Sequence, residues 1–140
     1  MRKAAGLALV TGALALAGWG AWRFLVGGFT LSGSVTASPH TRKRIATPNM
    51  MLFVVALNTG GVPVAVKRFV NPHLPLQWDM GVEDLILPGR DWSGPLSVRV
   101  AVNGHGKIGE ALKGDLYGEH RHPARSGDRS VDVVVDSVVD

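Results

Sequence analysis

Leu52 to Leu57 is an unbroken apolar run, and Val62 to Val70 is a second that carries Lys67 and Arg68 near its end. Asn58-Thr59-Gly60-Gly61 separates them. Val-rich runs bounded by Gly, Asn and Pro predict two buried strands joined by a tight turn. Pro72 and Pro75 then bracket His73 and Leu74 and lead into an alternating run, Leu76 to Met80. The cleanest alternation is Leu96 to Val102, with Leu96, Val98, Val100 and Val102 on one face and Arg99 on the other.

Weaker patterns flank these. Residues 29–37 place Leu31, Gly33 and Val35 on one face, which predicts a strand with a bulge at Gly33. Ser38 to Arg44, closed by Pro48, reads as a basic, solvated loop. The sharper reading of that loop is contact with anionic lipid or an acidic partner. Gly81 to Leu87 fits either a helical turn or a strand and ends at Pro88-Gly89. Asn103-Gly104-His105-Gly106 is a turn, after which Ile108 to Leu116 is expected to return as a strand interrupted by Gly114. Glu119 to Asp128 reads as a loop. Arg129 to Asp140 predicts a last strand with Val131, Val133, Val135 and Val139 on one face. Asp at every fourth position also fits a helix, but the Val density favours a strand. The fold class is therefore all-β, an antiparallel β-sandwich of about seven strands, with Greek-key or cupredoxin-like topology among the candidates.

Residues 4–22 contain no charge and follow Arg2 and Lys3, while Trp19, Trp22 and Arg23 close the stretch. About 20 uncharged residues can span a bilayer as a helix. Two readings compete: a retained signal anchor, favoured by the length and the Trp pair, and a cleaved signal peptide with Ala15-Leu16-Ala17 before Gly18. Both put the C-terminal part outside the cytoplasm. The expected layout is a single-pass inner-membrane anchor and hinge over 1–28 and a periplasmic domain over 29–140.

The net charge of +4 raises a nucleic-acid reading, but its distribution argues against one. From residue 24 onward, 12 Lys and Arg face 11 Asp and Glu. Such a balance lacks the electrostatic footprint of a phosphate binder. The absence of cysteine removes disulfides, thiolate metal sites and covalent haem attachment.

An ordered set of residues carries a resemblance: Phe53 to Ala56, Gly61 to Val66, Arg68, Leu74-Pro75, Pro88-Gly89 and Gly114-Asp115-Leu116-Tyr117-Gly118. In this order they resemble the C-terminal periplasmic β-domain of the cytochrome c-type biogenesis subunit known as CcmI or CycH, over roughly Val35 to Val138. The resemblance implies an inner-membrane protein of cytochrome c maturation that holds apocytochrome c for haem ligation, without catalysis and without a cofactor. It also implies that Pro63, Leu74, Pro75, Gly114, Asp115 and Gly118 are structural. The chain departs from the family by lacking the tetratricopeptide region between membrane part and β-domain, and the Ala-Arg-Ile-Ser wording in the strand at Val98–Val102.

Candidate site residues fall into two groups. Lys67 and Arg68 break an apolar strand, and Trp78 and Met80 share a face. They are core and strand residues on one reading, and a partner-binding edge for an extended peptide on the other. His120 and His122 share a face if extended, which opens an alternative: a periplasmic metal- or haem-handling protein. A third alternative is a structural accessory subunit of a respiratory membrane complex. No Ser sits in a nucleophile elbow, and Asp79, Glu83 and Asp84 read as solvated turn residues, so no enzyme is expected.

Overall fold

The computed structural model describes residues 28–86, 92–109 and 111–140. The 4–22 leader and the Pro88-Gly89 pair lie outside the described residues. Among the described residues no helix is long and apolar enough to cross a membrane.

Eight strands are described: β1 (Leu31–Ala37), β2 (Met51–Leu57), β3 (Pro63–Val70), β4 (Leu76–Met80), β5 (Ser97–Asn103), β6 (Leu116–Glu119), β7 (Val133–Val135) and β8 (Ser137–Val138). They form a three-stranded sheet, order β4-β1-β7, and a five-stranded sheet, order β3-β2-β5-β6-β8. The two inner faces enclose Leu31, Val35, Trp78 and Met80 from one sheet and Leu52, Val54, Val98, Val100, Val102 and Leu116 from the other. The period-two alternation thus marks the core correctly along β1, β4 and β5.

Four expectations are corrected. Gly33 is not a bulge: β1 and β4 run in unbroken antiparallel register from Leu31 opposite Met80 to Val35 opposite Leu76. Glycine is needed there because a Cβ would lie 1.9 Å from the Val131 carbonyl oxygen. The basic loop contains a short helix, α1 (Pro39–Ile45). Pro39 occupies its first turn, where a missing N–H costs nothing. Thr41 and Ile45, four apart, are buried and leave Arg42, Lys43 and Arg44 outside. The Thr41 hydroxyl donates to the Val135 carbonyl and ties α1 to β7.

The return strand does not start at Ile108. Ile108 and Leu112 are exposed, and β6 begins only at Leu116. Finally, Arg129–Asp140 is not one strand. β7 pairs parallel with β1, whereas β8 pairs antiparallel with β6, so the chain changes sheets at Asp136. A single parallel pair therefore interrupts an otherwise antiparallel sandwich. The ambiguous segment after Met80 is a 3-10 turn (Val82–Asp84), with the Gly81 N–H donating to Asp84 Oδ2 at 3.0 Å. Leu85 then bridges Ala65.

Candidate functional site

The five-stranded sheet has an outer face and an open edge, and both are built by the β2–β3 hairpin. In β2, Leu52, Val54 and Ala56 point into the core, which turns Phe53 and Val55 outward. Both are nevertheless buried. This is why the run is continuously apolar instead of alternating. Register sets Arg68 of β3 and Ala101 of β5 directly beside Phe53, with Tyr117 of β6 beyond Ala101. Val66 and Arg99 flank Val55 in the same way, and Arg99 pairs with Glu119 at 3.5 Å. That pair is exposed and contributes under about 1 kcal/mol.

A groove of about 650 Å³ runs over this face. Val55, Ala101 and Tyr117 line its floor, and Ile108 and Val139 lie along its walls. The stretch carrying Ile108 is held down by Asp115. Its Oδ2 accepts from the Leu112 N–H at 2.9 Å and lies 2.7 Å from His105 Nε2. His105 Nδ1 accepts the Lys107 N–H, which leaves the ring proton on Nε2 to be donated to Asp115. Gly114, at φ +92°, bends the chain into this clamp, and Arg44 donates to its carbonyl at 2.8 Å. Asp115→Ala removes the acceptor from one part-buried donor, His105 Nε2, and from one exposed donor, the Leu112 N–H. The expected loss is about 1–3 kcal/mol, read by urea unfolding, with faster amide exchange at Leu112 than at core strands.

The edge is β3 itself. Its first half is covered, because the Ile86 N–H donates to the Val64 carbonyl and Leu85 bridges Ala65. By alternation the N–H and C=O groups of Val66, Arg68 and Val70 turn to the same side. The Ala65–Leu85 bridge reaches as far as Val66, and among the described residues no strand pairs with Arg68 and Val70 on that side. Lys67 points to the other face and lies 3.9 Å from Asp84. Pro63 opens the strand where the register shifts between Ala56 and Leu57, a position that tolerates a missing donor.

Of the four residues grouped as a partner-binding edge, the structure separates two from two. Arg68 is exposed on the open edge and Lys67 lies beside it. Trp78 and Met80 are core residues on β4 in the other sheet, with 3% and 2% exposure. Leu74 packs against the core from the β3–β4 connection, and the Leu74–Pro75 peptide is cis. Gly118 lies on the core face of β6, where a Cβ would come 2.0 Å from the Val134 carbonyl oxygen.

His120 and His122 have ring centroids 6.3 Å apart, edge to face. His120 Nδ1 lies 2.7 Å from the Asp132 carbonyl. Among the described residues no three His, Asp or Glu side chains converge as metal ligands. Sequence reasoning missed Phe53, Val55 and Tyr117 as an outer face. The unbroken run in β2 was the signal for it.

No curated protein and no solved structure matches the chain. Residues 31–136 match the family model of the cytochrome c-type biogenesis protein H Ig-like domain, from the first residue of β1 to the last turn before β8. With the two-sheet sandwich and the ordered Gly114–Gly118 motif in place, the chain belongs to this Ig-like family of cytochrome c-type biogenesis proteins.

Proposed function

We propose that the domain is a non-catalytic interaction module that presents apocytochrome c, or a maturation protein bound to it, for haem ligation. In this reading an extended segment of the partner adds as a strand to the open half of β3. The observation that carries it is the outward N–H and C=O groups of Arg68 and Val70 on the half of β3 that Leu85 and Ile86 leave uncovered. Strand addition draws affinity from such backbone groups and specificity from alternate side chains. Lys67 and Arg68 also suit the edge for a second reason: charges there discourage indiscriminate pairing between copies. The uncharged 4–22 stretch supports an inner-membrane anchor with the domain in the periplasm.

The test is retention of apocytochrome c by the full-length chain in neutral detergent. Arg68→Pro removes an outward N–H without touching the ladder to β2, because that N–H faces away from β2. It is expected to lower retention by about tenfold or more, while Arg68→Ala changes it by only a few-fold. Equal retention by Arg68→Pro, with unchanged circular dichroism, overturns strand addition.

A further inference from the structure

The domain has two poles. Gly28 marks one, where its carbonyl accepts from Ser126 Oγ at 3.0 Å. β1 then runs seven residues, about 20 Å, before the chain turns into α1. The basic triplet Arg42, Lys43 and Arg44 therefore sits at the pole opposite the point where the leader joins the domain.

At that distant pole the three cations have no carboxylate within ion-pair distance among the described residues. Arg42 donates to the Ala37 carbonyl at 3.2 Å and Arg44 to Gly114. Both bonds fix the guanidinium groups without neutralising them. Beside them lies a groove of about 470 Å³ between α1 and the β3–β4 connection. Arg42 lines it together with Ile45, Pro48, Pro72 and Leu74. The groove is built in: the Asn71 N–H donates to the Met50 carbonyl at 2.8 Å, and Asn71 Oδ1 accepts the Asn49 N–H at 2.9 Å. Among the described residues no acidic side chain lines it.

We propose that this pole binds an acidic segment of a partner protein, with one apolar side chain of that segment seated between Ile45, Pro48, Pro72 and Leu74. Charge complementarity selects an acidic occupant, and the apolar floor selects a peptide over a simple anion. Position selects protein over lipid. Given the proposed anchor, on which this selection rests, a tether joined at Gly28 is separated from the basic triplet by the length of β1, about 20 Å, which exceeds a Debye length at physiological salt. The site is separate from the β3 edge, so either can fail without the other.

The experiment uses the full-length chain in neutral detergent and fluorescence anisotropy of a short labelled peptide, Glu and Asp around one central Phe. Two control peptides replace the acids by Lys or the Phe by Ala. Arg42→Gln with Lys43→Gln is the charge variant, with Arg44 kept because it anchors Gly114. Ala46→Glu, at an exposed position lining the groove, is the second variant. The acidic peptide is expected to bind and the Lys peptide not to bind. Each variant is expected to weaken binding about tenfold with circular dichroism unchanged, and the Phe→Ala peptide to bind weakly and lose its sensitivity to Ala46→Glu. Equal binding of acidic and basic peptides, or no effect of either variant, overturns the proposal. So does capture of phosphatidylglycerol vesicles, sensitive to Arg42→Gln with Lys43→Gln, without peptide binding. Arg68→Pro is expected to leave peptide binding at this pole unchanged.

Discussion

Alanine at Gly118 is expected to destabilise the domain by upwards of about 3 kcal/mol, and Gly33→Ala by as much. The reason is the same at both positions. A Cβ on Gly118 would stand 2.0 Å from the Val134 carbonyl oxygen and 2.8 Å from its carbon. At Gly33 it would stand 1.9 Å from the Val131 oxygen. Neither obstacle is a flexible side chain that can rotate away. Both are backbone atoms of the C-terminal segment, and that segment is pinned. The Val131 N–H donates to the Ser32 carbonyl, β7 pairs with β1, and Ser34 holds Asp132 Oδ1 through both its N–H and its hydroxyl. Relief at Gly118 requires the two sheets to part where β7 lies against β6, and relief at Gly33 requires the segment leading into β7 to lift off β1. Urea unfolding of the variants against the parent chain measures the effect, and a midpoint shift corresponding to less than 1 kcal/mol on that scale would contradict the packing described.

Trp78→Ala carries the second large effect, an expected loss of about 3–5 kcal/mol. Trp78 is almost wholly buried on β4, opposite Gly33 of β1. Truncation leaves a cavity in the middle of the sandwich that neighbouring β-branched side chains, stiff at χ1, fill poorly. Trp78→Phe is expected to cost much less, about 1–2 kcal/mol. The indole Nε1 has no hydrogen-bond partner among the described residues, so phenylalanine removes a buried donor that stabilises nothing. The pair of variants also separates packing from recognition. If Trp78→Phe preserved stability but abolished partner retention, Trp78 would be an interface residue after all. A purely packing role predicts retention that follows the folded fraction.

Much of the sandwich was legible because β1, β4 and β5 each bury every second residue, and a period of two survives in a single sequence. The failures have specific causes. Arg42, Lys43 and Arg44 hid α1: three consecutive charges look like a loop, and only the spacing of Thr41 and Ile45 betrays a helix one side of which is dry. Ile108 and Leu112 suggested a strand by being apolar, yet they line or flank a groove and stay exposed. Arg129–Asp140 kept its alternation across Asp136, so nothing in the pattern marked the change of sheet. The close approaches at Gly33 and Gly118 depend on strands about a hundred and about sixteen residues away, and no local signal records them.

Lys67 and Arg68 show the same limit at the candidate site. Neighbouring residues on a strand face opposite ways, so sequence said that one of them points outward but not which. Register against Phe53 and Val54 answers it. The open edge itself was invisible in sequence, since it depends on Leu85 and Ile86 covering only the first half of β3.

The crossing of the C-terminal residues from one sheet to the other has a temporal side. A ribosome makes β1 before the other described strands, yet the Ser34–Asp132 bonds beside it link residues 98 apart. The nascent chain therefore emerges with β1 half satisfied, and closure must await the appearance of residues 131–138. Until those residues arrive the sandwich stays unclosed, so the slowest contacts of this domain are the ones of longest sequence separation.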